Sequence, residues 1–310
     1  MKLKITFILF LLSLNLKTVA QNSSLFELQS YQKKENDHVN FVSLSDIYSL
    51  SEHKDSTAIP SLKGKTESNS KYLKLESKFR KRFLNKTKIA ETDKLFIYDY
   101  SKDILLSFPV KSLDLVACLN VYGAEWPYNQ NDFMIGFEID DKLASIKDNF
   151  STVFVYAGKE SPFSKGEIKK IIWKKITAKD LPVSVAKGKK LNELNQFVKT
   201  SKSKPGQFFE FKTNGYQCYL QEYTDSKGKT IQGKYLTVVN EANKKVIFQK
   251  LFTESEGVSF APIDNQWIGK LLNDKTPVVF GFQYFSFGCE EINFLQQSEK
   301  PVYINCDNRH

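Results

Sequence analysis

The residues in this chain suited to chemistry are few and scattered. Histidine occurs only at His38, His53 and His310, which leaves almost no material for a His-centred triad or a His-rich metal site. The cysteines, Cys118, Cys218, Cys289 and Cys306, have no C-x-x-C spacing, so zinc-ribbon and thioredoxin-like readings fall away. Ser184 and Lys187 stand as S-x-x-K, but the K-T-G strand that serine acyl-transfer sites add is missing. There is no G-x-S-x-G elbow, P-loop or G-x-G-x-x-G turn.

Carboxylates could act without such motifs, because glycoside hydrolysis needs one acid and one base or nucleophile at the right separation. Glu125-Trp126-Pro127-Tyr128, followed by Asp132 and Glu138, places acids among rings able to stack on a sugar. A carbohydrate-active hydrolase using a carboxylate pair near Trp126 is therefore the alternative reading, and Trp126 is a candidate binding residue. Asp140-Asp141 and Glu290-Glu291 lack the loop that wraps calcium and read as solvated acidic turns. No catalytic residue, metal site or cofactor is assigned from the sequence.

Charge is more informative. Residues 165–204 hold twelve lysines against Glu167, Asp180 and Glu193, a local +9 within a chain of net +10. Lys169, Lys170, Lys174 and Lys175 form its densest part and are the candidate contacts for an anionic partner. That partner is expected to be an anionic polysaccharide, a membrane surface or another protein. Arginine occurs only at Arg80, Arg82 and Arg309. Its scarcity argues against sequence-specific nucleic acid, whose recognition favours the planar guanidinium fork.

Residues 1–20 read as a secretory signal peptide: Lys2 and Lys4, an apolar stretch from Ile5 to Leu16, and small residues ending at Ala20. That stretch is too short to span a bilayer, and no later one is apolar enough. The mature protein is expected to be secreted or periplasmic. In an oxidising compartment four thiols favour disulfides. A hairpin of Ile292–Leu295 with Pro301–Ile304 would bring Cys289 opposite Cys306; Cys118 and Cys218 would then be partners, or buried and reduced.

The positioning elements point to an α+β fold, predominantly antiparallel, with a sandwich-like or twisted-sheet C-terminal half. Residues 21–70, with eleven serines, read as a low-complexity, mostly disordered leader. Residues 71–204 read as an α+β region and 205–310 as β-rich, with Lys199 to Gly206 as the boundary. Tyr72, Leu75, Phe79 and Phe83 recur at helical spacing from Lys71 onward. Leu95 to Tyr100 and Ile104 to Val110 suggest a hairpin, and Val278 to Phe287 one long strand. Asn214-Gly215 is a hairpin turn whose register places Phe211 opposite Cys218 and Phe209 opposite Leu220, with Cys218 facing the core.

Overall fold

The computed structural model describes residues 24–306 except 35–36, 49–57, 121, 123–124, 140–149, 189, 214 and 287. The expected signal peptide and the Asp140-Asp141 turn lie outside the described residues. The chain folds as an α+β protein dominated by antiparallel sheet, as its strand pattern predicts.

Nine strands form the central sheet. From one edge they are β10 (Ile168–Lys170), β17 (Trp267–Gly269), β18 (Val278–Phe280), β20 (Glu291–Phe294), β21 (Val302–Asn305), β1 (Leu25–Phe26), β9 (Val153–Gly158), β5 (Lys94–Asp99) and β6 (Ile104–Pro109). Phe154 on β9 and Phe280 on β18 are four strand steps apart, about 19 Å in a flat sheet. Their ring centroids are 5.7 Å apart. The sheet therefore curls on itself, and Leu25, Phe96, Tyr98, Trp267, Phe280 and Ile304 fill its concave side.

Adjacent strand residues point to opposite faces, so the same strands feed a second core on the convex side. Leu95, Ile97, Val153 and Val155 meet a five-stranded sheet there, ordered β2 (Gln29–Lys34), β3 (Asp37–Ser43), β8 (Phe133–Ile139), β7 (Asp114–Leu119) and β4 (Tyr72–Lys74). Helix α1 (Ser77–Thr87) adds Phe79 and Phe83 to this core. Phe83 packs edge-on against Tyr48 and Phe137, with centroids at 5.0 and 5.8 Å. The helix starts at Ser77, later than spacing alone predicts, because Tyr72–Lys74 pairs with Val116–Cys118 instead. Tertiary pairing overrides local periodicity there.

The serine-rich stretch expected as a mostly disordered leader supplies β1, β2 and β3. Composition averages over the stretch, whereas Leu25, Phe26, Phe41 and Val42 are each fully or almost fully buried.

The other end of the convex face packs on a second five-stranded sheet. Its order is β11 (Lys174–Ile176), β12 (Lys204–Thr213), β13 (Tyr216–Thr224), β14 (Ile231–Asn240) and β15 (Val246–Thr253). Cys218, Leu220, Leu236, Val238 and Phe248 interlock with Ile268, Val279 and Leu295 of the central-sheet side, a sandwich-like contact of two sheets. The β12–β13 register is the predicted one: Phe211 faces Cys218, Phe209 faces Leu220 and Thr213 faces Tyr216. Gly215 adopts φ +87°, which the turn requires. Helix α3 (Asn192–Ser201) covers part of the outer face, with Leu194 against Tyr223, Tyr235 and Leu251.

One sequence expectation changes in detail. The long strand from Val278 breaks at Gly281, whose φ is +81° and whose Cβ would lie 2.2 Å from the Asn265 carbonyl oxygen. Beyond it β19 (Gln283–Phe285) pairs with β16 (Val258–Phe260) in a separate ribbon. The stretch Ile168–Ile176 forms β10 and β11, in two different sheets.

Candidate functional site: a lysine-bearing link between two sheet edges

β10 is an edge strand of the central sheet, and β11 an edge strand of the β11–β15 sheet. The chain passes between them through Ile171, Ile172 and Trp173. Lys169 lies opposite Ile268 and Lys170 opposite Trp267. Lys174 lies opposite Glu210 and Lys175 opposite Phe209. All four lysines are exposed, because an edge strand has a neighbour on one side only. Lys174 makes a 3.7 Å ion pair with Glu210; Lys169, Lys170 and Lys175 have no ion pair among the described residues.

The link is anchored from beneath. Ile171 is fully buried, and its N–H donates to the Gln266 carbonyl at 2.8 Å. Trp173 donates from Nε1 to Gln266 Oε1 at 2.7 Å. Gln266, itself fully buried, donates from Nε2 to the Pro262 carbonyl at 2.9 Å. Between these anchors Ile172 is 65% exposed. Two lysine pairs thus flank a rigidly held, outward-facing apolar side chain, a feature that charge counting does not reveal.

The remainder of the 165–204 block spreads over other elements. Lys179 lies in a short 3-10 turn (Ala178–Asp180), Lys187 caps the one-turn helix α2 (Val183–Ala186), and Lys199 lies in α3. Asp180 accepts from the N–H and hydroxyl of Thr177, which hold its carboxyl below the usual range.

Trp126 is 40% exposed and meets Tyr128 edge-on at 5.2 Å. Glu125 beside it is exposed, whereas Asp132 and Glu138 are engaged elsewhere. Asp132 accepts from the Asn129 N–H at 2.7 Å in a capping box. Glu138 accepts from Lys33 Nζ at 3.0 Å and from the Tyr72 hydroxyl. Asp132 precedes β8 and Glu138 lies near its far end, six residues of roughly 3.3 Å or about 20 Å apart. Hydrolytic carboxylate pairs sit about 5–9.5 Å apart, so these two do not form one.

Cys289 and Cys306 are joined in a disulfide with Cα atoms 5.6 Å apart, and β20 pairs with β21 as the predicted hairpin. Cys118 and Cys218 are free and buried. Burial pushes the Cys218 thiol up to about 12, and burial with the nearby Glu138 pushes Cys118 well above its usual value. Neither forms appreciable thiolate near neutral pH. Glu291 pairs with Lys250 at 3.2 Å. Among the described residues no group of three or more His, Cys, Asp or Glu could hold a metal ion, and no helix is long and apolar enough to cross a membrane. No protein family matches the chain, and no curated protein or solved structure shows significant similarity to it.

Proposed function

We propose that this chain is an exported, non-enzymatic binding or structural protein of the cell envelope or extracellular space. In this reading its lysine-rich surface at Lys169, Lys170, Lys174 and Lys175 contacts an anionic partner, an acidic polysaccharide or a membrane surface. The observation that carries it is the rigid Ile171–Trp173 link, which holds exposed Ile172 between two exposed lysine pairs. An exposed apolar side chain flanked along the chain by exposed lysines suits a surface that is both anionic and apolar, as a lipid interface is. The disulfide supports an oxidising compartment.

The test is binding of the mature protein to an acidic polysaccharide and to vesicles containing anionic phospholipid, each at low and moderate salt. Affinity is expected to fall steeply with salt. The quadruple variant Lys169→Glu, Lys170→Glu, Lys174→Glu, Lys175→Glu is expected to lose about 100-fold or more, since each lysine near an anionic surface contributes about 1 kcal/mol. Unchanged affinity in that variant would overturn the reading.

The edge position of both strands supports a second reading, in which the lysines guard sheet edges against pairing with another chain. Self-association of a Lys→Gln quadruple variant, with no anionic ligand found for the parent, would favour it. The hydrolase alternative draws support from the exposed Trp126 alone, and ligand binding lost on Trp126→Ala but insensitive to salt would favour a glycan.

A further inference from the structure

A cleft of about 340 Å³ lies between residues 178–186 with Lys190 and the outer face of strands β12–β14. One wall is Leu181 and Val185 from the covering segment; the other is Pro205 and Phe208 from β12. Tyr219 and Thr237 lie directly opposite each other across β13 and β14 and line the same cleft. They are only 3% and 2% exposed, yet neither hydroxyl hydrogen-bonds to any described residue. Both residues line the cleft, where a ligand atom or water can pair with their hydroxyls. Burial pushes the Tyr219 hydroxyl up to about 12, with Glu210 and Cys218 adding to the effect, so it remains a proton donor at neutral pH.

Among the described residues the only cation lining the cleft is Lys190. It is half-buried and has no carboxylate partner among the described residues. Its neighbour Leu191 donates its N–H to the Tyr235 hydroxyl at 3.3 Å, which ties this end of the segment to the sheet. The cleft therefore combines apolar and aromatic walls, one unpaired ammonium and two unpaired hydroxyls. Small-molecule sites have this composition.

We propose that the cleft binds a small aromatic carboxylate, with the carboxylate on Lys190, the ring against Phe208 and Leu181, and an oxygen at the far end of the ligand accepting from Tyr219. The volume equals that of about eleven waters at ~30 Å³ each, which suits a ligand of about a dozen non-hydrogen atoms. This site is separate from the Lys169–Lys175 surface and does not depend on its function.

The test uses 3-(4-hydroxyphenyl)propionate as probe, 3-(4-hydroxyphenyl)propan-1-ol as its neutral counterpart, and ligand-detected NMR titration of the full mature chain. Saturable binding with Kd on the order of 1 mM or tighter is expected, about tenfold tighter than for the alcohol. Lys190→Met should remove that preference for the acid, and Tyr219→Phe should weaken the acid severalfold. Both substitutions keep side-chain volume, and an unchanged Tm shows that the fold is retained. Absence of saturable binding, or binding indifferent to both substitutions, would overturn the proposal.

Discussion

Leu25 pairs in parallel with Ile304, so the start of the described chain lies beside its last strand. Asn305 reinforces the pair by donating from Nδ2 to the Leu25 carbonyl at 2.7 Å. Leu25 and Phe26 point to opposite faces of the central sheet, Leu25 into the concave core and Phe26 into the convex one. Two residues from a serine-rich segment thus join both cores.

Truncating Phe26 should therefore behave as a core mutation. Phe26 is 2% exposed, and Phe26→Ala is expected to destabilise by about 3–5 kcal/mol. Urea denaturation measures it; a change below about 1 kcal/mol would mean that β1 is dispensable.

The Cys289–Cys306 bridge closes a loop with a sequence separation of 17. Chain-entropy arguments give about 3 kcal/mol for a loop of this size. The Cys289→Ser, Cys306→Ser variant should lose about that much. A thiol count should find no reactive cysteine in the native protein and two, Cys118 and Cys218, after denaturation without reductant.

Glu290 adds a pH dependence. Desolvation, partly offset by the Gly281 N–H and reinforced by Glu27, pushes its carboxyl from 4.5 up to about 7. Because the folded-state value is raised, its contribution is fully present below about pH 4.5 and is lost as pH rises through 7. Glu290→Gln should thus gain stability relative to the parent at pH 8, on the order of 3 kcal/mol, and gain none at pH 4.5. Denaturation midpoints of both proteins across this range decide it, and parallel curves would refute it.

Arg80 fastens α1 to the connection between β6 and β7. It donates to both Glu91 carboxylate oxygens at 2.7 Å, to the Leu113 carbonyl at 2.7 Å and to the Val110 carbonyl at 2.6 Å. Lysine cannot reproduce this fork. Arg80→Lys is expected to cost about 1–3 kcal/mol, with an equal cost for Arg80→Ala showing that the geometry rather than the charge matters.

The amino-acid sequence by itself determined the local features with a short-range physical cause. The Asn214-Gly215 turn and the alternation around it specified the β12–β13 register, since a one-residue slip would turn Cys218 out of the core. The Cys289–Cys306 pairing followed from a hairpin short enough to close cheaply. The lysine density at Lys169–Lys175 was equally plain, but only as charge.

Only the tertiary structure decided what depends on distant partners. Periodicity could not show that Tyr72–Lys74 would leave the helix for Cys118, nor that Ile168–Ile176 would divide between two sheets. It could not place Glu138 on Lys33 and Tyr72, far along β8 from Asp132. Spacing did not mark Ile172 as exposed, which follows from the way Gln266 holds its neighbours, and Tyr219 and Thr237 came to lie opposite each other only once β13 and β14 paired. Residue spacing encodes which face a side chain takes along its own strand, whereas the partner that covers that face comes from long-range strand pairing.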